Sequence, residues 1–361
     1  MARALELARN GRGSVEPNPM VGAVIVRGGQ VVAEGCHARF GGPHAEVEAI
    51  AQAQARGQDL SGSTLYVTLE PCCHQGKTPP CTDAIIRCGF ARVVAAMEDP
   101  DQKVSGRGLA ILRRAGMELA LGVLEGPARE LLGAYIKTRR LGRPWVICKW
   151  AQSLDGRIAT HTGQSRWITG PQARAEVHRV RSWCDGVCVG VGTVLADDPL
   201  LTNRSGSGKQ PARVVLDAHL RIPLESRLVQ SARQSPLLIV TAADPGQRLQ
   251  ALEQAGAQVL RLPASPTGGA DLPSLLEELG RRGWTYLLVE GGRNVLGQFL
   301  SAGLADEAMV FVAPRLLGGR QALGPVDWPE PDRIDQGLKL PPPRVAQLGE
   351  DLLLNFVISH Y

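Results

Sequence analysis

Pro43-His44-Ala45-Glu46, Pro71-Cys72 and Pro80-Cys81 bring together the residue types that a catalytic zinc uses. One imidazole and two thiolates give three protein ligands and leave the fourth tetrahedral position for water. Zinc lowers the pKa of such a water to near neutrality and makes it a nucleophile. Glu46 is two residues from His44, too short a step for a second ligand by default, yet within reach of that water. It can take the water's proton and hand it to a leaving amine. The expected chemistry is hydrolytic replacement of an amino group. His-x-Glu alone is a weak signal, because a lone helical histidine is usually structural. Followed 26 residues later by Cys72 and nine further by Cys81, it becomes specific. A closed structural zinc site would want a fourth ligand, and Cys73 or His74 could supply one, but such a site has no use for Glu46.

These residues need a rigid support, and the chain around them alternates short strands with helices. VGAVIVRGGQVVAEG (21–35) reads as a β-hairpin turning at Gly28-Gly29. A helix follows from about His44 to Arg56, then the strand TLYVTLEPC, the helix CTDAIIRCG ending at Gly89, the strand ARVVAAMEDP and the amphipathic helix GRGLAILRRAG. The polar stretch TRRLGRPW (138–145) carries Gly and Pro and breaks this pattern, so a domain boundary is placed there, giving units 1–142 and 143–361. The second series has strands at WVICKWA, GVCVGV, ARVVLD, PLLIVT, AQVLRL, YLLVEGG and EAMVFVAP. Their uninterrupted apolar runs predict buried, mainly parallel strands. The tail DLLLNFVISHY reads as a last, antiparallel strand, and RSGSGKQ (204–210) as a flexible loop. Both halves are thus α/β.

In the second half VEGGRNVLG (289–297) is a strand ending in Gly291-Gly292 and running into a helix. Backbone N–H groups at such a start suit a pyrophosphate, although a Gly pair is more often a plain turn. The spacing Gly-x-Gly-x-x-Gly is absent, since Leu195 stands where a third glycine would follow Gly190 and Gly192. A dinucleotide site here would not be of Rossmann type. Asp197-Asp198-Pro199 lacks a third acidic ligand nearby and reads as a loop. Arg181 and Arg204 have the forked geometry for a phosphate, though each alone would be read as a surface arginine.

Composition narrows the function classes. The chain has 361 residues, 44% hydrophobic and 21% charged, which fits two globular domains. The net charge is +5, with 22 basic and 21 acidic residues in 144–361, so neither half argues for nucleic acid on charge. Arg113-Arg114 and Arg139-Arg140 read as solvated helix faces. No apolar run reaches the ~18 residues of a membrane span. MARALELARNGRG reads as a short helix without the apolar centre of a signal peptide, so a cytoplasmic protein without membrane partners is expected. Disulfides are then not the default for the eight cysteines, and Cys88, Cys148, Cys184 and Cys188 read as small buried thiols. Glu48 reads as a helix-surface acid.

The His-x-Glu…Pro-Cys…Cys pattern is that of zinc-dependent nucleobase deaminases. Their usual spacing is Pro-Cys-x-x-Cys, whereas CHQGKTPP (73–80) separates Cys72 from Cys81 here. PCCHQGKTPPC (71–81), with PNPMVGAVIV (17–26) and EDPD…VSGRG (98–108), closely resembles the bifunctional deaminase–reductase family of riboflavin biosynthesis. The family often has Ser where Cys73 stands, so Cys73 is a departure that could compete for metal. KWAQSLDGRIA (149–159), GQSRWITGPQAR (163–174), GVGTVLADDPLLTNR (190–204) and LLVEGGRNVLGQFL (287–300) carry the same resemblance into the second half.

The resemblance implies a cytidine-deaminase-like three-layer domain followed by a dihydrofolate-reductase-like α/β domain. It implies a phosphorylated diaminopyrimidinone substrate, with zinc on His44, Cys72 and Cys81 and Glu46 as the catalytic acid–base. Asn18 and Lys77 become candidates for substrate contacts, and Lys77 has a rationale of its own as a mobile cation near a phosphate. In the second half it implies NADPH held by Ala151, Trp167, Thr193, Asp197 and the turn Gly292, Arg293, Asn294, Val295, Leu296, Gly297 and Gln298. Substrate contacts would come from Ser165, Arg181, Leu201, Arg204 and Glu290. After VVLD the family often has Ser, where this chain has Ala218, so that contact is lost or supplied by backbone. A homo-oligomer is compatible with the composition. Two other readings stand beside this one: an RNA or tRNA base deaminase with an appended binding domain, and a zinc-stabilised scaffold in which Glu46 would be dispensable.

Overall fold

The computed structural model describes every residue except Pro245, Thr267, Glu330 and His360. The chain forms two compact units, residues 1–142 together with Tyr361, and residues 143–359.

The first unit is built on a five-stranded sheet of β1 (Gly22–Arg27), β2 (Gln30–Cys36), β3 (Thr64–Val67), β4 (Arg92–Ala95) and β5 (Glu118–Leu121), in the order β2-β1-β3-β4-β5. β1 runs antiparallel to β2 and β3, and β3, β4 and β5 are parallel. The β1–β2 turn falls at Gly28-Gly29, both with positive φ, as the hairpin reading requires. The helix Ala45–Ala55 buries Ala45, Ala49 and Ala53 at helical spacing. A face of methyl groups lets its backbone approach β2 so closely that a Cβ on Gly35 would lie 2.3 Å from the Ala45 carbonyl oxygen. Sheet residues Ala23, Ile25, Leu65, Val67, Val93 and Ala95 join Ile85, Leu109 and Leu112 from the helices Cys81–Arg87 and Arg107–Arg114 in one core.

The second unit holds a nine-stranded sheet. Its strands are β6 (Trp145–Ser153), β7 (Gly186–Gly190), β8 (Ala212–Leu216), β9 (Leu237–Thr241), β10 (Gln258–Arg261), β11 (Tyr286–Val289), β12 (Glu307–Ala313), β13 (Arg344–Leu348) and β14 (Asp351–Val357). The order is β10-β9-β8-β7-β11-β6-β12-β14-β13. The first seven strands in that order are parallel, while β14 is antiparallel to β12 and β13. β7, β9 and β11 are buried at every position, which explains their unalternating apolar sequences. β5 and β13 lie at sheet edges, and β13 is exposed along most of its length, so no apolar run marks either one.

Two local expectations change. The loop at 204–210 is organised rather than loose: buried Asn203 donates its side-chain amide to the Ser207 carbonyl at 2.7 Å and accepts from the Ser205 N–H at 2.8 Å. Gln210 accepts from the Asn203 N–H at 2.9 Å. Among the cysteines, Cys148, Cys184 and Cys188 are buried as expected, whereas Cys88 is only half-buried near the end of its helix. No helix among the described residues is long and apolar enough to cross a membrane.

Candidate active sites

The fold of the first unit brings three chain segments to one point. His44 is the N-cap of the helix Ala45–Ala55, Cys72 follows β3 through the Glu70-Pro71 turn, and Cys81 opens the helix Cys81–Arg87. Their ligand atoms all lie within 4.8 Å of one another, and Cys73 and His74 are outside the group. His44 Nδ1 is 3.2 Å from the Cys81 sulfur and 3.5 Å from the Cys72 sulfur. One ring nitrogen and two sulfurs converging on a common point fit zinc by softness and by number. With Nδ1 turned to the sulfurs, the Nε2–H of His44 faces the Thr78 hydroxyl at 3.3 Å. In metal sites such an outer partner fixes the ring and its tautomer.

A hydrogen bond from Cys81 holds the Cys72 thiol well below its ordinary range, and the same contact, with burial, pushes Cys81 up. Glu46 lies in the first helical turn and is buried. Burial pushes its carboxyl up to about 7. Glu48, one turn-face away, is exposed, as read from the sequence.

A cavity of about 310 Å³ opens onto this group. Asn18 and Lys77 both line it. His37 Nδ1–H donates to the Pro43 carbonyl at 2.8 Å, so its Nε2 accepts from the Asn18 side-chain amide at 3.1 Å. Burial lowers the His37 pKa and keeps the ring neutral in that role. The Lys77 ammonium sits 4.0 Å from the centre of the Phe40 ring and has no acidic partner among the described residues. On the opposite wall the Tyr135 hydroxyl donates to Asp99 Oδ1 at 3.0 Å, and burial raises the Asp99 carboxyl to about 6. Arg139 faces this cavity too, 3.5 Å from Asp101 and stacked at 5.1 Å over the Tyr135 ring. It is therefore not part of a plain solvated face. His37, Asp99, Tyr135 and Arg139 escaped the sequence reading because their pairing is long-range.

Glu70 shapes the pocket from behind. Its buried carboxylate accepts from the N–H groups of Asp99, Gly106 and Leu109 at 3.1, 2.9 and 3.1 Å. The helix Arg107–Arg114 is thereby fixed against the metal-bearing loop. A Cβ on Gly108 would fall 2.1 Å from the Pro71 carbonyl oxygen, next to Cys72.

At the carboxyl edge of the parallel strands of the second unit, two neighbouring cavities share Ser165. The smaller, about 200 Å³, is lined by Lys149, Ala151, Ser165, His178, Arg204 and Glu290, among others. Lys149 on β6 lies 3.6 Å from Glu290, which follows the neighbouring β11, and Arg181 closes its helix against the same carboxylate. Burial favours a neutral Glu290, yet the charges of Arg181 and Lys149 and the Arg181 hydrogen bond outweigh it and leave the carboxyl at about 2. Burial lowers the Lys149 ammonium. Lys149 was hidden within an apolar strand, and His178 within a helix.

The larger cavity is a groove of about 690 Å³. Thr193, Asp197, Gly292, Arg293, Asn294, Val295 and Gln298 line it, as does Ala218. Leu296 and Gly297 do not: Leu296 is in the core, and a Cβ on Gly297 would meet the Asp327 carbonyl oxygen at 2.0 Å. In a helix only alternate faces of consecutive residues can meet one groove. Ala151 and Trp167 face the smaller cavity instead of the groove. Leu201 is buried and lines an adjoining cavity with Arg181 and Arg204. Asp197 accepts from the Ser165 hydroxyl at 3.4 Å, consistent with a loop-organising role.

Comparison with known proteins follows this division. Residues 1–97 match the cytidine and deoxycytidylate deaminase zinc-binding region, and residues 144–354 match the RibD C-terminal domain. The riboflavin biosynthesis protein RibD of Actinobacillus pleuropneumoniae is 42% identical over 99% of this chain and 94% of its own length. A Thermotoga maritima structure described as a diaminohydroxyphosphoribosylaminopyrimidine deaminase/5-amino-6-(5-phosphoribosylamino)uracil reductase superposes with a TM-score of 0.86 at 37% identity, covering 99% of this chain and 97% of that one. RibD from Acinetobacter baumannii gives a TM-score of 0.84 at 36% identity, with the same coverage. The first unit thus has the cytidine-deaminase-like fold and the second the reductase fold. A reductase domain over 144–354 displaces the reading of an appended RNA-binding domain. Zinc in the first unit and a nicotinamide cofactor in the second are the cofactors of these folds, and the chain belongs to the RibD family, the bifunctional deaminase–reductases of riboflavin biosynthesis.

Proposed function

We propose that the chain acts on 2,5-diamino-6-ribosylamino-4(3H)-pyrimidinone 5′-phosphate, first replacing its 2-amino group by oxygen and then reducing the ribosyl side chain to ribityl. The observation that carries the first step is the convergence of His44, Cys72 and Cys81 beside buried Glu46 at the base of one cavity. Zinc bound by these three would supply an activated water. Glu46 takes a proton from that water at its carboxylate and passes it to the departing amino nitrogen; the water oxygen stays on the ring carbon as the oxo group, its second proton ends on the ring nitrogen, and the amino group leaves as ammonia. Asn18, oriented through its bond to His37, faces the pyrimidine. Lys77, free of acidic partners among the described residues, meets the phosphate at the rim.

In the second unit NADPH would supply a hydride. Thr193, Asp197, Gly292, Arg293, Asn294, Val295 and Gln298 would hold the cofactor along the groove, and Ala151 and Trp167 would meet it in the smaller cavity. Ser165 and Arg204 hold the sugar phosphate, and the Lys149–Glu290–Arg181 cluster lines the same cavity beside the ribose. Lys149 faces that cavity and would give a proton to the ring oxygen of the ribose as hydride reaches C1′ and the ring C–O bond breaks. The small-molecule partner is a phosphorylated pyrimidine, and no nucleic acid or membrane takes part in this scheme.

A mass-spectrometric time course on zinc-loaded protein tests both steps. Amino-to-oxo exchange is expected without NADPH, and a gain of two hydrogens only with it. Exchange without reduction would remove the reductase assignment; neither change would remove the substrate.

A further inference from the structure

The groove of the second unit is lined by residues that follow four adjacent parallel strands. Ser165 comes after β6, the 292–298 turn after β11, Gly190–Thr193 after β7, and His219 and Arg221 after β8. In the sheet these strands stand in the order β8-β7-β11-β6. Three inter-strand spacings separate β6 from β8, about 14 Å, which is the reach of an extended dinucleotide. The smaller cavity, where reduction occurs, lies at the β6 end and shares Ser165 with the groove. The nicotinamide must therefore lie at the β6 end and the adenosine half at the β8 end.

Three basic side chains line the groove, His219, Arg221 and Arg293. Arg293 is taken by Asp327 at 2.8 Å. His219 and Arg221 are exposed and carry no ion pair among the described residues. The turn that presents them is built, not loose. Buried Asp217 accepts from the Ile222 N–H at 2.7 Å, the Leu220 N–H bonds back to the Asp217 carbonyl, and Leu220 adopts φ of +53°. Arg248 ties down the Ile222 carbonyl at 2.6 Å. A non-glycine residue in the left-handed region is costly and persists only when its surroundings impose it. With Leu220 buried beneath, residues 219 and 221 on either side turn outward over the groove. Ala218 offers no hydroxyl there, which leaves its neighbours' side chains and the backbone to meet an anion at this end.

We infer that Arg221, assisted by His219, binds the 2′-phosphate of the cofactor's adenosine and sets the preference for NADPH over NADH. This rests on the reading of the groove as the cofactor site. An Arg fork matches a phosphate by paired, charge-assisted hydrogen bonds, and NADH has a neutral hydroxyl in that place.

Calorimetric titration of the full chain with 2′,5′-ADP and with 5′-ADP tests the assignment without catalysis. Wild type is expected to bind 2′,5′-ADP more tightly. Arg221→Ala should weaken 2′,5′-ADP by about tenfold or more and leave 5′-ADP unchanged, His219→Ala should give a smaller loss, and Arg221→Lys an intermediate one. The NADPH-to-NADH ratio of kcat/KM should fall in parallel. Equal affinity of wild type for both nucleotides would overturn the inference, and so would an unchanged or equal loss for both in Arg221→Ala and Arg221→Gln alike. Wild type that binds neither nucleotide would instead remove the cofactor reading of the groove, and the inference with it.

Discussion

Arg181 and Glu290, 109 residues apart, meet as a two-bond ion pair, Nε to Oε1 at 2.5 Å and Nη2 to Oε2 at 3.0 Å, with both side chains almost wholly withdrawn from water. Arg181 is thus already committed to a protein carboxylate, and it tunes the charge of the site instead of standing free for a phosphate. Its remaining fork atom, Nη1, donates to the Thr202 carbonyl at 3.0 Å, close to Arg204.

Glu290 is held at about 2 in the folded state, below the value near 4.3 of an unfolded glutamate. A depressed carboxyl stabilises the fold above the unfolded pKa and loses that contribution as pH falls toward the folded one. Glu290→Gln should cost about 3 kcal/mol at neutral pH, because it leaves Arg181 and Lys149 buried without their counter-ion. The gap between wild type and variant should narrow between about pH 4 and pH 2. All six tryptophans lie in residues 145–328, so denaturation followed by tryptophan fluorescence reports this unit alone. A gap that stays constant with pH would contradict the assignment.

The metal group predicts a sharp contrast among neighbouring cysteines. Cys72→Ser and Cys81→Ser should each lose zinc and deamination, while Cys73→Ser keeps one zinc per chain, since Cys73 is outside the converging group. Chelation of wild type should stop deamination and leave NADPH-dependent reduction of the deaminated substrate intact. Metal content by atomic emission, with the two half-reactions assayed separately, decides it; loss of zinc from Cys73→Ser would show that Cys73 does compete.

Thr78 meets His44 at Nε2, on the ring edge away from the nitrogen that faces the two sulfurs. Thr78→Val keeps the shape and removes the hydroxyl, and outer-shell losses of this kind cost about 10–100-fold in metal affinity. Competition against a fluorescent chelator measures it. Affinity equal to wild type would mean that the His44 ring is oriented by the sulfurs alone.

Glu70→Gln removes a charge that three buried backbone donors share. A single amide oxygen cannot satisfy all three, and each donor left bare costs about 1–3 kcal/mol. Amide hydrogen exchange across residues 98–112 should accelerate while the far strands β1 and β2 stay protected. Unchanged exchange at Asp99, Gly106 and Leu109 would argue that other acceptors take over.

The metal centre was legible because its ligands sit at element boundaries that the chain itself marks: His44 at a helix start, Cys72 after a Glu-Pro turn, Cys81 after Pro79-Pro80. The hairpin at Gly28-Gly29 and the buried strands β7, β9 and β11 announced themselves by turn chemistry and apolar runs. What stayed hidden depends on distance along the chain. Asp99 gains meaning only with Tyr135 beside it, and Lys149 only with Glu290. Asn203 makes a loop that composition called flexible into a hydrogen-bonded turn. The exposed edge strand β13 lacks an apolar signature. Helical phase, invisible in a list of consecutive positions, separates Leu296 and Gly297 from their groove-facing neighbours.

Gly35 and Gly108 press backbone to backbone against the two segments that carry His44 and Cys72. Neither touches a reacting atom. Adding even one methyl group at either place would push a whole helix start or the Cys72 turn aside, and a metal site tolerates little such drift. Mutational scans scored by zinc retention should therefore show Gly35 and Gly108 as intolerant although neither is a ligand, with alanine already damaging at both.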